Sequence, residues 1–243
     1  MARIELRDSV LTVIDGFAGT AKVGATGTSG AVSLAVGTVA GNLSSTDRIP
    51  VGARFTIAGE STLPIHVVTA RTPAGATGPT TAVTITPALV STCLPDAVIT
   101  LLPQRLEIKL GDGSLSYTEH NEYEYLKDRG VLDTVREKDD VPMDVKLECV
   151  YESITTGTSE TVSPMDALKG IGEADEWVSS SSDKCEPYCV DLEILHSPPC
   201  GSKQDETTLF PDFRSDSREI NFKDATINVS GKCNATEPIV SRS

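Results

Sequence analysis

The stretch DVKLECVYE, residues 144–152, alternates at every position but Val150: Val145, Leu147, Cys149 and Tyr151 fall on one side, Asp144, Lys146, Glu148 and Glu152 on the other. A period of two is the spacing of an extended strand, whose side chains point in turn to opposite faces. CVDLEIL repeats the pattern, with Val190, Leu192 and Ile194 against Asp191 and Glu193. Such strands require a sheet with one dry face and one wet, charged face. LEIKL, then Gly111-Asp112-Gly113, then SLSYTE predicts a hairpin, because glycine supplies the positive φ of a tight turn. Helical signals are confined to SPMDALKG, where Ser163 can cap, Pro164 suits the first position, Asp166 completes a capping-box-like pair and Gly170 can end the helix.

Charge divides the chain in two. The first 104 residues hold six basic and six acidic side chains, so the formal net charge of −14 falls entirely on the remainder. Aromatics divide the same way, with only Phe17 and Phe55 before residue 105. The neutral part is rich in Gly, Ala, Thr and Val, and its β-type runs AVSLAVGTVA, ARFTIAG, IHVVTA and TAVTITPAL are separated by Pro and Gly clusters. Short strands with frequent turn signals predict a small β-barrel or sandwich. KVGATGTSG, residues 22–30, reads as a linker into it, and Pro103 closes its last run.

IELRDSVLTV (4–13) resembles INFKDATINV (220–229), and the alternation recurs around Asp112. If the N-terminal residues form a strand that belongs with the acidic part, the neutral module is an insertion into a larger domain, and exposed loops tolerate insertions well.

The residue pattern offers little chemistry. No run approaches the roughly 20 apolar residues of a membrane span, and MARIELRDSV lacks the basic-then-apolar order of a signal peptide. Six cysteines without a secretion signal predict reduced thiols in a cytoplasm, and Asn-x-Ser/Thr triplets at Asn42, Asn228 and Asn234 that go unused. The acidic balance argues against gripping nucleic acid phosphates, though a conduit that must not hold DNA would want this sign. Cys185, Cys189, His196 and Cys200 are zinc-compatible types, but seven extended residues at about 3.3 Å each separate Cys189 from His196 by roughly 23 Å. His66, His120 and His196 stand in no nucleophile motif, and no Gly-rich loop leads into a helix. In LDTVREKDDVPMD, Glu137, Asp139, Asp140 and Asp144 suggest a metal-dependent hydrolase. Against it, Asp139 and Asp140 diverge in an extended chain, Arg136 and Lys138 compete with a cation, and Pro142 denies a helical platform. A solvated or partner-contacting loop is the better reading, and neither a catalytic residue nor a cofactor is expected.

EYEYLKDRGVLDTVREKDDVPMDVKLECVYESI, residues 122–154, resembles the major tail tube proteins of long-tailed bacteriophages. The likeness continues through DALKGIG, WVSSSSDKCEPYCVDLEI, LFPDF and KDATINVSGKCNATEP. It implies an all-β fold: a tail-tube β-sandwich with one short flanking helix over residues 1–25 and 105–243. The module at 30–104 would be an inserted small β-barrel or Ig-like addition on the tube exterior. The resemblance further implies a non-enzymatic virion protein, assembled in the host cytoplasm, that self-assembles into stacked hexameric rings. Its partners would be further copies and the tape measure, tail terminator and distal tail proteins, with DNA passing through the lumen unbound. The inter-subunit loop would span residues 128–142, with Asp128, Arg129, Asp133, Arg136, Glu137, Lys138, Asp139 and Asp140 forming salt bridges to neighbours. A cell-surface adhesin or tail-fibre module, with 30–104 as the binding part, is the alternative outside this family.

Overall fold

The structure is a computed structural model. It describes residues 9–42, 49–72, 81–108, 114–128, 131–150, 162–183, 185–197 and 204–242. The chain is mostly β. It begins with β1 (Ser9–Ile14) and continues through β2 (Ala18–Val23), β3 (Ser33–Asn42), β4 (Arg54–Ile57), β5 (His66–Thr72), β6 (Ala82–Thr86) and β7 (Val98–Leu102). There follow β8 (Arg105–Ile108), β9 (Leu115–Thr118), β10 (Tyr123–Asp128), β11 (Val131–Glu137) and β12 (Asp144–Val150). Helix α1 (Pro164–Ala167) and a 3-10 turn (Gly172–Ala174) precede β13 (Val190–His196), β14 (Glu206–Asn221), β15 (Thr226–Lys232) and β16 (Ile239–Arg242). Two compact units result: Met1–Val13, Leu106–Lys169 and Cys185–Ser243 form one, Ile14–Arg105 and Gly170–Lys184 the other.

The first unit is built on a sheet ordered β8-β1-β13-β14-β15-β12-β9, with β16 beside β14. The alternation in DVKLECV does what its period requires: Val145, Leu147 and Cys149 are buried, and Asp144, Lys146 and Glu148 are not. In β13, Val190 and Leu192 are buried and Asp191 and Glu193 half-buried. Among the described residues β8 and β9, the arms of the predicted hairpin, do not pair: β8 pairs with β1 at one edge of the sheet and β9 with β12 at the other, and the turn Gly111-Asp112-Gly113 lies outside the described residues. Only residues 109–114 join them, a chain of at most about 25 Å, whereas the edges of a flat sheet of seven strands would lie about 29 Å apart. The sheet is therefore curled on itself, and Tyr117 of β9 meets Phe210 of β14 with ring centroids 5.4 Å apart.

The curl is carried by β14. Phe210 and Phe213, three positions apart, would face opposite ways in a regular strand, yet both are buried. A bulge at Asp212 restores their common face: Phe210 stands opposite Leu192 and Phe213 opposite Val190. Asp212 has φ +50, and its N–H donates to the Asp191 carboxylate at 2.8 Å. A second irregularity between Ser215 and Ser217 faces Gly231, where a Cβ would lie 2.0 Å from the Arg214 carbonyl oxygen, so only glycine fits. Helix α1 begins as its residues predict. The Asp166 N–H donates to Ser163 Oγ at 3.1 Å, and the Asp166 carboxylate accepts from the Ser163 hydroxyl rather than its N–H. The chain then turns at Gly170, φ +61.

The second unit is a closed antiparallel barrel ordered β2-β3-β6-β5-β4-β7, filled by Phe17, Val23, Leu34, Phe55, Ile57, Val68, Ile85, Leu89 and Ile99 among others. It differs in two ways from the expected boundaries of 1–25 and 30–104: β2 belongs to the barrel, and so do residues 170–184. The supposed linker 22–30 is likewise barrel. Two of its glycines serve close packing: a Cβ on Gly24 would lie 3.1 Å from the Val36 backbone, and Gly27 bridges to Cys93, whereas Gly30 supplies a positive φ of +82. Asp15, buried, accepts from the N–H groups of Phe17 (3.1 Å), Gln104 (2.7 Å) and Val178 (3.3 Å). One carboxylate thus binds the segments where the chain enters the barrel, leaves it and returns to it. Arg71 holds the returning segment by a bidentate pair with Glu176, at 2.8 and 2.6 Å.

Inside the barrel, His66 and Glu60 are fully buried and 2.6 Å apart. His66 Nδ1 lies 2.8 Å from the Pro87 carbonyl, which can only accept, so Nδ1 carries a hydrogen. The Nε2–Oε2 contact then needs one more proton, and the pair is net neutral whichever atom holds it. The Val90 N–H completes the carboxylate at 2.9 Å.

Candidate functional site

The segment expected as a loop over 128–142 is largely strand. β10 and β11 make a two-stranded ribbon of their own, with Tyr123 opposite Glu137, Glu124 opposite Arg136, and Tyr125 opposite Val135. The reason is legible in EYEYLKD, whose Glu/Tyr alternation is itself a strand signal. Cross-strand partners share a face, so Tyr123, Tyr125 and Val135 lie together, 49, 60 and 47% exposed. Of the ribbon side chains described, only Leu126 is half-buried and none is buried. A ribbon of two strands without a core is marginal in water, so this arm needs a second surface to become rigid.

The predicted site residues spread along this arm instead of converging. Asp128 and Asp133 are strand positions at its far end, and Arg129 lies outside the described residues. Arg136 and Glu137 finish β11, and Lys138, Asp139 and Asp140 follow in exposed irregular chain. Lys138 closes the base: its N–H donates to the Glu122 carbonyl at 3.0 Å, and its Nζ lies 3.6 Å from the Glu122 carboxylate. Asp144 is turned elsewhere, 2.8 Å from His120 Nε2 and 3.8 Å from Lys232 Nζ. The His120 hydrogen bond, with the Lys232 charge behind it, holds the Asp144 carboxyl below the usual carboxylate range. Met143, fully buried, returns the chain to the core. Among the described residues no three His, Cys, Asp or Glu side chains are grouped to hold a metal ion. β13 runs between Cys189 and His196, which keeps those two zinc-compatible residues at opposite ends of a strand, and Cys200 lies outside the described residues.

Two sheet edges add to the arm. Among the described residues β16 pairs only with β14, and it is exposed at all four positions, including Ile239 and Val240. β9, LSYT, is the uncharged end of the long sheet. Neither carries the lysines or prolines that usually blunt an edge. The sequence reading expects strand edges to join neighbouring copies without saying which strands, and it does not single out Tyr123, Tyr125 or the His120–Asp144 pair. The tyrosines had a signal in their alternation, whereas the edges depend on pairing order. No protein-family model, curated protein or solved structure matches the chain.

Proposed function

We propose that this chain is a structural subunit that self-assembles into stacked hexameric rings forming a bacteriophage tail tube, a conduit for the genome. The observation that carries the reading is the arm Tyr123–Glu137: a coreless ribbon that exposes Tyr123, Tyr125 and Val135 beside Glu137 on one face, and Glu124 and Arg136 on the other, gains rigidity by packing against a neighbour. The bare edges β9 and β16 supply the means by which sheets of adjacent copies join. Over β9, β12 and β15 one face carries Ser116, Thr118, Asp144, Lys146, Glu148, Asn228, Ser230 and Lys232, a polar wall of balanced charge that gives a passing polyanion little to adhere to. Asp139 and Asp140, exposed at the base of the arm, make salt bridges to the next copy. The barrel is an addition to this body, carried outside the tube.

Electron microscopy of the purified protein tests the reading. Hollow tubes or six-fold rings are expected, and Asp139→Lys/Asp140→Lys shortens or abolishes the tubes. Tubes of normal length from that variant would remove the acidic pair from the contact. A chain that stays monomeric in the presence of an initiating tail complex would refute the proposal.

A further inference from the structure

In the antiparallel barrel, the connections β2–β3 (24–32), β4–β5 (58–65) and β6–β7 (87–97) all lie at one end. They are stitched into one surface. The Gly30 N–H donates to the Leu89 carbonyl at 2.7 Å, Ser29 Oγ to the Val90 carbonyl at 3.0 Å, and the Val90 N–H to the buried Glu60 carboxylate. Each connection nevertheless turns aliphatic side chains outward: Val32, Leu63, Ile65, Val90 and Leu94, with Leu63 58% and Leu94 67% exposed. Soluble proteins rarely cluster exposed aliphatics without a use for them. The end opposite is the one where Asp15, Gln104 and Val178 meet and the chain enters and leaves the barrel.

We infer that this end is a self-association surface, whose occupant is the same end of a second copy. Its composition selects that partner. The three connections contain no aromatic residue and only two charged ones, buried Glu60 and exposed Asp96, which lies 3.6 Å from Lys22 of β2. Surfaces for a different protein lean on Tyr, Trp and Arg anchors, whereas contacts between identical chains are more apolar. Membrane-surface binding calls for aromatic or clustered basic residues, whereas no aromatic is present and the lysine beside this end, Lys22, is paired with Asp96. The formal charge of −14 lies outside residues 1–104, so two chains can meet through this neutral part with little repulsion. A patch facing itself across a two-fold axis closes without propagating. The inference concerns the barrel alone and does not rest on the tube reading.

The test compares the full chain with Leu63→Glu/Leu94→Glu, two exposed positions at which substitution leaves the fold intact by circular dichroism. In sedimentation equilibrium the native chain moves toward dimer mass with concentration, and the variant weakens that step at least about tenfold. Equal masses for the two proteins would overturn the inference. So would flotation of the native chain with phosphatidylcholine vesicles in place of self-association.

Discussion

Replacing Glu60 separates two accounts of the barrel interior. His66 and Glu60 have no solvent access, and the carboxylate serves both His66 Nε2 at 2.6 Å and the Val90 N–H at 2.9 Å. Glu60→Gln keeps both bonds if the amide oxygen accepts from Val90 and the amide nitrogen donates to an imidazole protonated at Nδ1, the tautomer that Pro87 demands. Because the native pair is already net neutral, this exchange removes no net charge, and the expected cost is below about 1 kcal/mol. Glu60→Ala strands a buried imidazole and a buried N–H and opens a void, a loss of about 3–5 kcal/mol. On a unit of this size that lowers the barrel's melting temperature by more than about 12 °C. The assay is thermal unfolding followed by hydrogen exchange of barrel amides, which isolates this unit from the other. A Glu60→Gln barrel as damaged as Glu60→Ala would refute the reasoning, since it would mean that the ionised carboxylate itself is required.

Three further outcomes follow from the geometry. His120→Ala should let the Asp144 carboxyl rise toward its ordinary range, read by carbon NMR titration. In the native chain the depressed value means that the Asp144 contribution is present above the unfolded carboxylate pKa and lost as pH falls through the lower, folded one. Burial pushes the thiols of Cys149 up to about 11 and Cys233 up to about 12, so at pH 8 a maleimide should label exposed Cys185 and leave those two intact by peptide mass mapping. Gly231→Ala drives a methyl into the Arg214 carbonyl and should cost about 1–3 kcal/mol in urea unfolding, whereas an unchanged midpoint would place the bend of β14 elsewhere.

What the residues disclosed and what they hid follows the range of the interactions. β12 and β13 were legible because alternation is local, and α1 because Ser163, Pro164 and Asp166 act within one turn. The barrel's strands were legible as runs, since AVTIT and VITLL carry β-branched residues between turn signals. Pairing was hidden, because whether β8 joins β9 or β1 depends on partners far along the chain. The 22–30 segment misled because glycine marks close packing as readily as flexibility, and only the neighbour's position tells which. In LFPDF the proline masked a strand interior, since a bulge lets β14 absorb it. For the candidate site, the acidic residues stand out by their density, whereas the tyrosines of the arm leave only the two-residue period of EYEYLKD as a signal.

Asp15 bears on what could be transplanted. A graft of residues 14–105 into another host would carry two of the three backbone segments that this carboxylate holds and would leave behind Val178 together with Glu176, the partner of Arg71. The transplanted barrel would keep a buried anion short of one donor and an arginine without its acid. The transferable piece is therefore discontinuous, and any recipient must supply a counterpart of residues 170–184 before the barrel can stand as it does here.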